Sequence, residues 1–141
     1  MLARADVRLR VNSRMPHQAT ILLVEDDEAN RLVFQHCLVS AGYQVTTAND
    51  GVVAMKLLSQ QRFEIVLTDM LMPNADGVEL LTNLRKLPTM PIVVTMSGGG
   101  HHLGATQILN LSLKLGASAC LQKPFTREKL LSTIETVLAK T

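Results

Sequence analysis

Five short apolar runs, each released into turn residues and then into a helical pattern, leave this chain few folds to choose from. The runs are Thr20–Val24, Tyr43–Ala48, Glu64–Thr68, Ile92–Met96 and Ala119–Leu121. A short apolar run that stops at turn residues reads as a strand buried on both faces, as at Thr20–Val24, Glu64–Thr68 and Ile92–Met96, while Tyr43–Ala48 and Ala119–Leu121 read simply as strands. Between them the apolar spacing turns helical. Val33, Phe34, Cys37, Leu38 and Ala41 recur over Asn30–Ala41, and Gly42 stops that pattern. Asn49–Asp50–Gly51 turns into a helix with Val53, Ala54, Leu57 and Leu58 on one face. A third helix, about 76–86, buries Val78, Leu81 and Leu84, with Asp76 as its cap, and Pro88 and Pro91 bracket the connection after it. A fourth runs from about 103 to 115 and ends at Gly116. The last, about 126–140, carries Leu130, Ile134, Val137 and Leu138. Strand and helix alternate throughout, which implies parallel pairing, right-handed crossovers and helices on both faces of the sheet. The expected fold is α/β, a doubly wound parallel five-stranded sheet in the order 2-1-3-4-5, with the switch point between the first and third strands.

The chain's 141 residues suit one domain with a real core. Apolar residues at 47% and charged residues at 18% describe an ordinary globular protein; aromatics at 3% argue against a base-stacking platform for single-stranded nucleic acid. The net charge of +2 is misleading. Arg4, Arg8, Arg10 and Arg14 face only Asp6 within residues 1–19, so the basic character belongs to an extension and residues 20–141 are nearly neutral. No nucleic-acid surface is expected. Residues 1–19 lack a sustained period and read as a disordered or loosely docked extension, with a basic docking arm as the alternative and Met15 as a second candidate start. Cys37 and Cys120 lack metal or redox spacing and read as reduced core cysteines. No stretch has transmembrane length and no secretory segment opens the chain, so a cytoplasmic protein away from membranes is expected.

Polar residues gather at the strand ends. The first strand ends at Glu25 and Asp26, the third at Asp69, the fourth at Ser97, and the fifth leads to Lys123. The topology would bring all of them to one sheet edge, where open parallel sheets place their chemistry. Close carboxylates are tolerated around a hard cation, and Mg²⁺ shares such oxygens with phosphate. A carboxylate can also be the nucleophile and become an acyl phosphate. Asp69, alone at a central strand end, is best placed for that role, with Lys123 and Ser97 to receive the phosphoryl charge. Each residue taken singly has a plainer role. Glu25–Glu28 suits a helix N-terminus, Ser97 suits a helix cap, and Lys123 suits a solvated loop.

Other motifs fail on spacing. Gly99 and Gly104 have phosphate-loop spacing but Ala105 stands where the lysine belongs. Gly98 and Gly100 lack the third glycine of a dinucleotide fingerprint. His101 and His102 have no partner at metal-ligand spacing. The acidic first loop argues against an anionic flavin.

Leu23–Asp27, Asp69 with Met72–Pro73–Asn74 and Asp76–Gly77, Ser97–Gly98, and Gly116–Ala117 followed by Lys123–Pro124–Phe125 together resemble the receiver domain of two-component response regulators, of the chemotaxis-regulator-like, single-domain kind. The resemblance covers about residues 20–140 and implies the flavodoxin-like (βα)5 fold. It implies Mg²⁺-dependent phosphorylation of Asp69 by a partner histidine kinase or phosphotransfer protein. It assigns Glu25 and Asp26 as the acidic pair, with Asp26 the preferred direct metal ligand. The backbone carbonyl of Leu71 would be a further ligand, and Lys123 the phosphate-contacting lysine before a commonly cis Pro124. Pro73 and Gly77 shape the loop. Ser97, followed by the small Gly98, is preferred over Thr95 as the switch hydroxyl.

The chain departs from the pattern in three places. Cys120 stands where receivers often carry Tyr or Phe, the connection from Ser97 to Gly116 is long and glycine-rich, and Leu71 and Gly99 offer no polar group to a hydrolytic water. The expectation is a stand-alone receiver signalling to a downstream protein through the face formed by its fourth helix, fifth strand and last helix, with slow self-dephosphorylation and no other enzymatic activity. A phosphorelay role, passing the phosphoryl group on, and a phosphorylation-dependent dimer stay open. The alternatives are a phosphate-independent interaction module and a receiver fragment of a hybrid kinase. A small hydrolase fails for want of a second acid or base.

Overall fold

The computed structural model describes residues 19–70, 76–98 and 104–140. Five strands, β1 (Thr20–Val24), β2 (Gln44–Ala48), β3 (Ile65–Asp69), β4 (Ile92–Ser97) and β5 (Ala119–Gln122), alternate with five helices. The helices are α1 (Glu28–Ser40), α2 (Gly51–Gln60), α3 (Asp76–Leu84), α4 (Ala105–Lys114) and α5 (Arg127–Ala139). The strands form one sheet in the order β2-β1-β3-β4-β5. Every pairing is parallel, with Val24 opposite Thr68 and Asp69 opposite Met96. This is the expected doubly wound, flavodoxin-like arrangement.

The period of two along each strand splits the core into two layers. Ile21, Leu23, Ile65, Leu67, Val94 and Met96 face α1 and α5, meeting Leu38, Leu130 and Ile134. Leu22, Val24, Val66 and Val93 face α2, α3 and α4, meeting Ala54, Leu81 and Ile108. Both faces of β1, β3 and β4 are covered, so these three strands are buried almost throughout, whereas the outer strands β2 and β5 are partly exposed. Ala19 is buried and its carbonyl accepts from the Gln44 N–H. The rest of the expected extension lies outside the described residues. None of the described helices is long and apolar enough to cross a membrane.

Side-chain caps set three helix starts. Asp27 accepts from the Asn30 N–H at 2.8 Å, Asp50 from Val53 at 2.8 Å and Thr126 from Lys129 at 3.0 Å. The Asp27 cap starts α1 at Glu28, earlier than the apolar pattern indicates. Gly42 and Gly116, read as helix stops, have φ of 101° and 104°, a region open to glycine.

Some expected details differ. Val33 is 58% exposed. At about 100° per residue it lies roughly a quarter turn from the centre of the Phe34, Cys37, Leu38, Ala41 stripe. Leu80 joins Leu81 and Leu84 as a buried residue of α3. Asp76 is the first residue of α3 rather than its cap, and the cap position falls on residue 75, outside the described residues. Cys37 and Cys120 are free thiols and only half-buried.

Candidate functional site

The carboxyl ends of β1 and β3 lie side by side because these strands pair directly. Glu25, one residue past β1, is held there by its N–H to the Ala48 carbonyl and by the Arg31 guanidinium, which donates to its carbonyl at 3.0 Å. Asp69 is the last residue of β3, and the following Met70 N–H donates to the Met96 carbonyl at 2.8 Å. One ligand oxygen from each of Glu25, Asp26 and Asp69 lies within 4.8 Å of the others. Glu25 and Asp69 are buried and Asp26 is exposed.

Three charges so close repel by about 3 kcal/mol per pair at an effective dielectric near 20. Lys123 supplies the counter-charge. Its Nζ donates to Glu25 Oε1 and to Asp69 Oδ2, each at 2.7 Å. The lysine is brought in by β5, whose end is tied to β4 through the Lys123 N–H and the Ser97 carbonyl at 2.7 Å. The Lys123–Pro124 peptide bond is cis. Burial alone would lower the Lys123 pKa, but its bonds to Asp69 and Glu25 outweigh that and hold it above 10.5. Burial pushes the Glu25 carboxyl above 4.5, against the lowering effect of Lys123 and of the Asp27 N–H that donates to Oε2.

Among the described residues, one ammonium against three carboxylates leaves net negative charge facing the exposed side of Asp26. An all-oxygen donor set of that kind fits a hard divalent cation such as Mg²⁺. The proposed Leu71 carbonyl, with Pro73 and Gly99, lies outside the described residues. Gly77, at the start of α3, packs against the same strand end. A Cβ there would overlap the Asp69 and Met70 carbonyl oxygens.

The two hydroxyls of β4 have different surroundings. Thr95 is fully buried; its Oγ1 donates to Ser112 Oγ at 2.9 Å and lies 3.4 Å from the Ala119 carbonyl. Among the described residues, Ser97, buried at the strand end, accepts a long contact from Cys120 Sγ at 4.0 Å. It lines a cavity of about 180 Å³ with Thr106, Leu109, Cys120 and Gln122. The structure thus brings Glu25, Asp26, Asp69 and Lys123 together, with Ser97 on the adjoining strand end. Two neighbours had no sequence signal: Arg31, and Phe34, whose ring centroid lies 5.8 Å from Lys123 Nζ.

The family model of the Response regulator receiver domain matches residues 21–135. The chain is 38% identical over 115 residues to the sensor histidine kinase RcsC of Salmonella typhi, covering 81% of this chain but 12% of that protein. It therefore spans only a small part of that relative. It is 33% identical over 122 residues to the "Probable chemotaxis protein CheY" of Rhizobium etli, covering 83% of this chain and 90% of that protein. Among solved structures, the chemotaxis response regulator CheY4 of Vibrio cholerae superposes with a TM-score of 0.76 at 29% identity, over 85% of this chain and 98% of that one. The receiver domain of Francisella response regulator 1452 gives 0.77 at 26%, over 87% and 98%.

Proposed function

Because this chain belongs to the response regulator receiver domain family of two-component signalling, we propose that it is a phosphorylation switch whose acceptor is Asp69. The observation that carries this reading is the Lys123 ammonium held at 2.7 Å from both Glu25 and Asp69. A carboxylate at a strand end, with a cation beside it, is arranged for a nucleophile whose product is a charged acyl phosphate.

A carboxylate oxygen of Asp69 attacks phosphorus of a phosphohistidine on the partner kinase or phosphotransfer protein. The O–P bond forms as the P–N bond breaks, and the imidazole leaves with the electron pair. Lys123 neutralises charge on the phosphoryl oxygens, and Ser97 donates a hydrogen bond to one of them. Glu25, Asp26 and Asp69 would hold Mg²⁺, which when bound supplies further charge neutralisation at the phosphoryl group. The exposure of Asp26 supports it as the direct ligand. The commitment of Thr95 to Ser112 supports Ser97 as the switch hydroxyl.

The output is a change in protein binding at the α4–β5–α5 face. Leu109 and Leu113 of α4, 39% and 46% exposed, support that assignment. Apart from its own phosphorylation and a slow loss of phosphate, the domain catalyses nothing. A stand-alone role takes support from the Rhizobium etli relative, matched over 90% of its length. The RcsC match supports the alternative of a receiver within a hybrid kinase. A phosphate-independent module is favoured by one observation, Cys120 beside a cavity where an aromatic switch residue is usual.

The chemistry of the adduct tests the reading. A phosphoryl group on Asp69 is an acyl phosphate, so hydroxylamine should release it and peptide mapping should place it on Asp69. A hydroxylamine-stable phosphate, or one on another residue, would contradict the proposal.

A further inference from the structure

Lys123 carries three N–H donors on a flexible four-carbon stem. Two are directed to Glu25 and Asp69. The ammonium also stands over the ring of Phe34, 5.8 Å from its centroid. That ring is braced in turn. It stacks on Phe125 with centroids 5.0 Å apart and an interplanar angle of 24°. Phe34 projects from α1, and Phe125 follows Lys123 by two residues. The stacked pair therefore fastens the segment after β5 to α1, beside the acidic pocket.

We propose, on the basis of the phosphoryl-acceptor reading above, that Phe34 is a positioning residue for Lys123. Its ring face keeps the ammonium at the pocket while the lysine exchanges carboxylate partners for phosphoryl oxygens. When a phosphoryl group arrives on Asp69, the bonds to Glu25 and Asp69 are the ones that rearrange. The ring contact does not depend on them, so it limits where the ammonium can go. A cation within about 6 Å of an aromatic centroid is attracted by the ring quadrupole. The observed distance is near that limit, so the effect is modest. Leucine at this position would keep most of the apolar packing of α1 against α5 and lose the quadrupole. Phe34 also packs against the core between these helices, and a purely structural role is the competing account.

A double-mutant cycle separates the two. Phosphoryl uptake from acetyl phosphate and Mg²⁺ is followed by intact mass on the full chain. Phe34→Leu is expected to slow uptake about two- to fivefold, and Phe34→Tyr to restore the wild-type rate. In a Lys123→Ala background, Phe34→Leu should have no further effect. An equal loss in both backgrounds, no loss in the wild-type background, or failure of tyrosine to rescue would overturn the inference.

A second measurement needs no phosphoryl transfer. The ε-methylene protons of Lys123 should be shifted to high field by the ring in the wild type and in Phe34→Tyr, and should return towards ordinary lysine values in Phe34→Leu. An unshifted wild-type signal overturns the contact. No uptake by the wild type would take down the proposed function and this role with it. Uptake by the wild type, with Phe34→Leu unchanged, takes down this inference alone.

Discussion

The ammonium of Lys123 lies 2.7 Å from Oδ2 of Asp69, although 54 residues separate the two in the chain. The parallel sheet makes that meeting possible. β3, β4 and β5 are adjacent, and all release their chains at the same edge.

Ser97 and Thr95 should separate cleanly. Thr95→Val removes a buried partner of Ser112 and is expected to cost about 1–3 kcal/mol of stability, with phosphoryl uptake little changed. Among the described residues, Ser97→Ala loses a long contact with Cys120. It should cost less stability than Thr95→Val, about 1 kcal/mol or less, and impair the response to phosphorylation. Urea denaturation and partner binding after phosphorylation, measured on both variants, check the pair. The reverse pattern would make Thr95 the switch hydroxyl.

Gly77 tests how tightly α3 sets the strand end. Adding a Cβ meets backbone oxygens of Asp69 and Met70, which cannot swing aside as a side chain would. Gly77→Ala should destabilise the domain by about 1–3 kcal/mol and slow phosphorylation by displacing Asp69. An unchanged melting temperature and uptake rate would show that α3 shifts freely.

Much of this was legible in the sequence, for a physical reason. β1, β3 and β4 are buried on both faces, so their apolar runs are continuous and their ends abrupt. Glu25, Asp69 and Ser97 stand out at those ends. Pairing at a distance left no such trace. The stacking of Phe34 on Phe125 and the Thr95–Ser112 bond join residues whose local patterns are only those of a helix, a loop and a strand. Val33 was misplaced because it flanks the buried stripe of α1, and periodicity separates flank from centre poorly. Asp76 reads equally well as a cap and as a first-turn residue, since both positions favour a carboxylate.

Metal binding should depend on pH with a definite sign. The folded-state pKa of Glu25 is raised above 4.5, chiefly by burial. Its contribution to stability is therefore fully present below 4.5 and is lost as pH rises through the folded-state value. A bound cation favours the ionised form, so Mg²⁺ should stabilise the domain more at neutral pH than near 4.5. Thermal melts with and without Mg²⁺ across that window check this. Asp26→Asn should weaken Mg²⁺ binding about tenfold or more and should not lower the stability of the metal-free domain, since it relieves repulsion. Mg²⁺ stabilisation that is independent of pH, or insensitive to Asp26→Asn, would place the ion elsewhere.

The phosphoryl group should persist once formed. Leu71 and Gly99 carry no polar side chain with which to orient an attacking water. After removal of the donor, decay followed by intact mass should take many minutes or longer. Loss within seconds would mean that another group activates water.

The most direct test is the mass of the intact chain after incubation with Mg²⁺ and acetyl phosphate, beside an Asp69→Asn control. The account predicts one added phosphoryl group on the wild type and none on the variant. Equal uptake by both proteins, or no uptake by the wild type, would contradict it.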